Sequence, residues 1–178
     1  MKKVNLVEIL HPKMDILFLA LNPPEASNNN AHYFSNNMSF WNLLFNAGLI
    51  TKTVCSPLTG DDEVFRDNAI NLKKSIYGVT DLCHDVVETN SKFVTVSTND
   101  SVSRILSMLQ EREVKNLCIV HAKVGKAFQS IPSLDRSKKY GLIGKIKNTN
   151  IYEMPFHTGT SIAGEIVVEH YEKLKKVL

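Results

Sequence analysis

Cysteine is scarce in this chain and forms no pattern. Cys55, Cys83 and Cys118 are widely spaced with no C-x-x-C pair, which argues against a disulfide framework or a zinc site and fits a reducing cytoplasm. No apolar run is long enough to cross a bilayer, and no secretory leader is read ahead of the first strand-like segment. Glycine-rich phosphate loops of the P-loop or Rossmann type are missing, which counts against a nucleotide-binding module or small-molecule enzyme built on one. Internal repeats are absent, and Asn28-Asn29-Asn30 is the one low-complexity run. Excess charge is slight, with a formal net charge of +3 and a pI near 8.7. That balance permits nucleic-acid binding without arguing strongly for it. Lys138, Lys139, Lys145 and Lys147 nevertheless cluster late in the chain, and Asp61, Asp62 and Glu63 mark an acidic loop.

What is present reads as one α/β domain. At 178 residues, with 43% apolar and 22% charged residues, the chain can bury a sizeable core as a single domain, 1–178. Residues 16–21, six apolar residues in a row, read as a fully buried strand of a parallel sheet. Asn22-Pro23-Pro24 ends it, because proline cannot donate to a ladder and restricts the residue before it. An asparagine-rich loop carrying His32, Tyr33 and Phe34 follows. Phe40, Trp41, Leu44 and Phe45 are then spaced as on a helix. A polar loop with aromatics therefore leaves the carboxyl end of a buried strand, where open α/β sheets place ligands.

Further strands are expected at 77–82, 117–120 and 151–154, with an extra edge at 93–96. Helices are expected over 62–74, over 101–112 with Asn99 or Asp100 as cap, from 124, and over 161–178. The alternation predicts a three-layer α/β/α fold with a mainly parallel central sheet.

The motifs around these strand ends resemble a known family. A strand ending in Leu21-Asn22-Pro23, a loop with His32-Tyr33, then Asn36, Phe40-Trp41, Leu43-Leu44 and Ala47-Gly48-Leu49 look like the mismatch-specific (G:T/U) branch of the uracil-DNA glycosylase superfamily. Gly78-Val79-Thr80-Asp81-Leu82 and Pro155-Phe156-His157-Thr158-Gly159-Thr160-Ser161 resemble two further family segments. The resemblance implies a uracil-DNA glycosylase-like fold and a monofunctional, water-mediated hydrolysis of the bond between a deaminated base and its sugar. Uracil is the first candidate, with hypoxanthine as an alternative. Implied with it are a partner, DNA carrying a damaged or mismatched base, and a cytoplasmic, nucleoid-associated monomer. No metal or cofactor is expected: His32, His84 and His121 are scattered, and the iron–sulfur cluster of other branches would need four cysteines.

The resemblance also assigns roles. Asn22 would position the water, although an amide is a poorer proton acceptor than the Asp of the more active branch; its alternative is a turn residue satisfying backbone groups. Glu25 is a nearby carboxylate that could serve as base or simply face solvent. Leu21 joins the base-binding set. Either Tyr33 or Phe34 would stack on the base, depending on whether one counts back from Trp41 or forward from Asn22. Asp81 would read the base edge, accepting only when ionised, or else cap a turn. His157 would support the leaving group, or be an ordinary loop histidine. Lys123, Gly159, Thr160 and Ser161 would contact DNA, Ser161 through the start of the last helix. A catalytically degenerate DNA-binding relative and an unrelated α/β small-molecule enzyme are the rival readings.

Overall fold

Strand β1, Lys13–Ala20, lies inside a five-stranded sheet, and its neighbours determine where the chain's loops gather. In the computed structural model, which describes residues 2–178 apart from Arg136, Lys138, Gly159 and Thr160, β1 pairs in parallel with β2, Tyr77–Asp81, on one side and β3, Glu113–Ile119, on the other. Two further strands follow, β4, Gly141–Ile146, and β5, Thr149–Glu153, giving the order β2-β1-β3-β5-β4 with only β4 antiparallel. Among the described residues five α-helices accompany them: α1, Glu25–Asn30; α2, Ser39–Asn46; α3, Thr98–Glu111; α4, Ala122–Ala127; and α5, Gly164–Glu172. No helix among the described residues is long and apolar enough to cross a membrane.

Both sheet faces are buried, which explains the continuous apolar runs. Side chains alternate across a strand. Ile16 and Phe18 of β1, with Cys118 of β3, join one core together with Phe40 and Trp41 of α2 and Val167 and Tyr171 of α5. Leu17 and Leu19, with Leu117 and Ile119, join a second core with Ile105 of α3 and Val124 of α4. The result is a mainly parallel sheet with helices on both faces, as the alternation of elements predicts.

Several local expectations are corrected. Residues 62–74 do not form one helix. A π-helical turn, Asp62–Arg66, is followed by Asn68 at φ 55° and a short 3-10 turn, Leu72–Lys74. The Asn71 amide closes this bend by donating to the carbonyls of Val64 and Ser75 at 2.9 and 2.8 Å. Residues 93–96 are no strand: Phe93 ends a 3-10 turn, Ser91–Phe93, and is 73% exposed. The basic segment contains β4, folded back as a hairpin on β5. Its Gly144, at φ 155°, lies so close to Ser133 that an added Cβ would stand 2.4 Å from that carbonyl oxygen. Helix α3 is capped at Ser97, which places Asn99 and Asp100 in its first turn. The last helix starts at Gly164 rather than Ser161, with Ala163 exposed at its cap. The asparagine run forms α1, where buried Asn28 accepts from the Asn5 and Leu6 amides at 2.7 and 3.3 Å and donates to the Lys3 carbonyl at 3.0 Å.

Packing is tight where the loop before Asp61 crosses α2. A methyl group at Gly60 would stand 2.3 Å from Trp41 Cε2, and Trp41 is 1% exposed. Gly60→Ala is expected to destabilise the protein by about 1–3 kcal/mol through overpacking. Gly164→Ala, with no neighbour within 4 Å of its Cβ position, should stay within about 0.5 kcal/mol of the parent. Urea denaturation of the two variants checks both values.

Candidate active site

The strand order reverses at β1: the chain moves outward to β2, then returns past β1 to β3. Ligands of open α/β sheets sit at such a point, beyond the carboxyl ends of the strands. Here a cavity of about 290 Å³ opens there, lined by Leu21 and Asn22 after β1, Asp81 at the end of β2, His121 after β3, and Phe156 and His157 after β5. Tyr33 and Phe34 from the loop after α1, and Glu88 from the segment after β2, complete its walls. Leu21 is 4% exposed, and its carbonyl accepts from the Cys83 amide at 2.8 Å.

Asn22 is held from behind. Its side-chain Nδ2 donates to the carbonyl oxygens of Pro23 at 3.1 Å, Val86 at 3.0 Å and Glu88 at 2.7 Å. An amide has only two such hydrogens, so one is shared. The three carbonyls fix which way the amide points, and its Oδ1 accepts no hydrogen bond among the described residues. Asn22 is thus both of the things its sequence context allows: a backbone-satisfying turn residue and an oriented acceptor in the cavity wall. Glu25 is elsewhere, paired with Lys2 at the surface. The carboxylate in the cavity wall is Glu88 instead, with its Oε1 accepting from the Asn90 amide at 2.8 Å.

The two adjacent aromatics take different places. Tyr33 is buried, 3% exposed, and belongs to the first core. Phe34 is half-buried, with its backbone at φ 52°, a left-handed conformation that costs a bulky residue energy. Its ring stacks on Phe40 at 3.8 Å between centroids, meets Trp41 edge-on at 5.9 Å and meets His157 edge-on at 5.7 Å. The buried Asp61 pins the preceding residues: one oxygen lies 2.8 Å from His32 Nδ1 and the other accepts from the Tyr33 amide at 2.9 Å. His32, Asp61 and Asp62 offer ligand atoms within 4.8 Å of one another, yet both Asp61 oxygens already have these partners.

Asp81 and Tyr33 face each other at the cavity floor. Burial, first of all, raises the Asp81 carboxyl from 3.8 to about 7; the nearby Glu8 charge adds to this, while Tyr33 and Arg104 oppose it. Burial, and then the Asp81 and Glu8 charges, push the Tyr33 hydroxyl far above its usual range. Although each group influences the other's proton, neither Tyr33 Oη nor Asp81 Oδ2 has a partner in hydrogen-bond geometry. Asp81 therefore carries its proton in a large share of molecules at neutral pH, and is not the acceptor-only carboxylate its sequence implies.

Two imidazoles complete the set. Burial lowers His157 from 6.5 to about 4, so it is neutral at physiological pH, and its Nδ1 is buried without a partner. His121 is the residue the sequence reading passed over. Its Nδ1 accepts from the Lys123 amide at 3.1 Å as the cap of α4, which leaves the ring proton on Nε2. Burial, and then the Lys123 charge, lower its proton affinity as well. A histidine immediately after a buried strand was the available signal, but only the sheet order puts it beside His157.

The proposed DNA contacts fare differently. Lys123 is engaged inside the molecule, its ammonium donating to the carbonyls of Ser91, Lys92 and Val94. Ser161 lies ahead of α5 rather than at its amino end. Gly159 and Thr160 lie outside the described residues. Compared with known proteins, the chain matches no family model and no curated sequence.

The shifts of Asp81 and His157 have opposite consequences for stability. Asp81 binds its proton more tightly folded than unfolded, so its contribution is present below about 3.8 and is lost as pH rises through about 7. His157 contributes above 6.5 and loses that contribution as pH falls through about 4. Relative to the parent, Asp81→Asn should therefore gain stability between pH 4 and pH 8, by on the order of 4 kcal/mol. His157→Asn should gain in the opposite direction, and urea denaturation across that range measures both slopes.

Proposed function

We propose that this chain is a DNA glycosylase with a uracil-DNA glycosylase-like fold, hydrolysing the bond between a deaminated base and its deoxyribose and leaving an abasic site. The observation that carries the reading is the convergence of Asn22, Phe34 and His157, from three separate segments, on one cavity at the carboxyl edge of the sheet. The family resemblance assigns Asn22 to the water and His157 to the leaving group, and Phe34 is one of its two candidates, with Tyr33, for the base.

Each has a role its geometry supports. Acting on a base within a duplex requires the nucleotide to be turned out of the stack and held by apolar and aromatic groups. Phe34, backed by Phe40, supplies such a ring, and stacking on an aromatic contributes roughly 1–3 kcal/mol per base. Asn22 Oδ1 accepts from the attacking water and orients it toward the sugar carbon, a positioning role rather than strong base catalysis. As the glycosidic bond breaks, electron density moves onto the departing base. The Nε2–H of His121 and a neutral His157 can donate to it. Burial keeps both imidazoles uncharged, so they stabilise developing charge as dipoles.

A second reading, hydrolysis of a free nucleoside by the same groups, is favoured by one observation: Lys123 is held by backbone carbonyls and Ser161 is away from a helix end, which thins the contacts expected for DNA. The two readings separate on substrate. Labelled duplexes containing uracil or hypoxanthine, incubated with protein and then treated with alkali, should break at the modified position. Asn22→Ala should slow this by about 100-fold. Binding to the duplex should weaken steeply with salt as phosphate contacts are lost. Release of free base from deoxyuridine with intact duplexes would support the second reading instead.

A further inference from the structure

The floor of the cavity holds two buried polar atoms without partners, and their arrangement bears on what the site reads. Asp81 is 1% exposed and Tyr33 3%. Both line the cavity, and Asp81 Oδ2 and Tyr33 Oη are left without hydrogen bonds. Buried polar atoms are nearly always paired; Trp41 Nε1 and Asn71 Oδ1 are unpaired too, but away from this cavity, whereas Asp81 and Tyr33 lie where a ligand has room to supply the missing partners. Resting on the glycosylase reading, we propose that Asp81 reads the ring in its protonated form, its acid O–H donating to a ring carbonyl and its C=O accepting from the adjacent ring N–H, with the Tyr33 hydroxyl beside them. The class of ring selected is a lactam, in which C=O and N–H lie side by side on one edge, as in uracil and hypoxanthine.

The surroundings favour the acid over the carboxylate. Arg104 of α3 is the nearest cation, but its guanidinium donates to Glu8 at 2.8 Å and to the main-chain carbonyl of Asp81, not to the Asp81 carboxylate. Glu8, which also accepts from Thr80 Oγ1, presents negative charge from the amino-terminal segment. Tyr33 faces Asp81 from the loop after α1, and on the cavity side stand Asn22, Glu88, His121 and His157. With the local cation engaged, a second carboxylate nearby and neutral imidazoles opposite, retaining the proton removes an unpaired charge from a dry site. An acid also resolves the objection that an ionised Asp81 cannot donate to a ring carbonyl.

The test uses binding, so that it does not depend on turnover. The probes are a duplex carrying 2′-fluoro-2′-deoxyuridine, which resists hydrolysis, and free uracil, each titrated against the parent, Asp81→Asn and Asp81→Leu at pH 6 and pH 8. In that interval His157 stays neutral, whereas Asp81 passes from mostly protonated to mostly ionised. The parent should bind the duplex about tenfold more weakly at pH 8 than at pH 6, the cost of restoring one proton. Asp81→Asn, which keeps a neutral donor and acceptor, should bind without that pH dependence, and Asp81→Leu should bind poorly at both. Parent binding that is flat or tighter at pH 8 overturns the proposal. So does an Asp81→Asn variant that keeps the tenfold fall. If the duplex is ignored but free uracil shows the same pattern, the reading of the ring stands and the DNA substrate is wrong. If neither probe binds, the proposal fails.

Discussion

Three hydrogen bonds from one side-chain amide hold the two walls of the cavity together. Asn22 sits where β1 ends, and the carbonyls it grips belong to Pro23 beside it and to Val86 and Glu88 beyond β2. An aspartate at this position would be the better base, but it would bring no N–H and would turn negative oxygens toward three carbonyl oxygens. Leaving buried polar groups unmatched costs about 1–3 kcal/mol each. The residue proposed to orient the water is therefore also the residue that joins the strand end to the opposite wall, and an amide can serve both ends. An acceptor oxygen on an amide fixed in this way offers a weak base but a fixed direction.

Placement extends to the aromatic wall through the core. Phe18 of β1 packs edge-on against Phe40 at 5.6 Å, and Phe40 stacks in turn beneath Phe34. Each such contact contributes about 0.5–1.5 kcal/mol beyond burial. Together with the Asp61 bond to the neighbouring Tyr33 amide, these contacts offset the left-handed backbone of Phe34, whose cost is of order 1–3 kcal/mol. The strain is local to the cavity and its compensation lies in the core. A ring fixed before any ligand arrives loses little conformational freedom on stacking, which favours binding.

The parts of this architecture legible in sequence are those that depend on periodicity and on strand ends. The runs at 16–21 and 117–120 are apolar on both faces because the parallel sheet is covered on both, and the Pro23-Pro24 stop placed the first loop at the correct edge. The hairpin strand β4 was hidden because its glycines and lysines read as a loop; pairing to β5, not propensity, makes it a strand. The helix expected over 62–74 failed for a converse reason, since the apolar spacing was present but Asn68, at a left-handed φ, and Asn71 cap the backbone carbonyls of a bend with their side-chain amides. At the site, sequence named Asn22, Asp81 and His157 but left Tyr33 and Phe34 interchangeable. Choosing between them requires knowing that Asp61 holds the Tyr33 backbone amide, a contact across 28 residues, and that the Phe34 ring stacks on Phe40. Glu88 carries no local mark of a site residue, and His121 only its place after a buried strand; the tertiary fold brings both to the cavity.

Three unsatisfied polar groups on one cavity are a physical mark of a place able to receive a ligand. Among the described residues, Tyr33 Oη, Asp81 Oδ2 and His157 Nδ1 are buried without partners, and all three residues line the same cavity. Four more such atoms, Trp41 Nε1, Asn71 Oδ1, His84 Nδ1 and His170 Nδ1, belong to residues outside its lining, whereas Asn28 and Asn116, nearly fully buried, donate to backbone carbonyls. Apolar side chains of similar shape at the three cavity positions would remove the desolvation penalty and make the protein more stable. What distinguishes the three at the cavity is their shared position: they stand beside a pinned amide and a fixed aromatic ring, where a bound molecule has room to meet them.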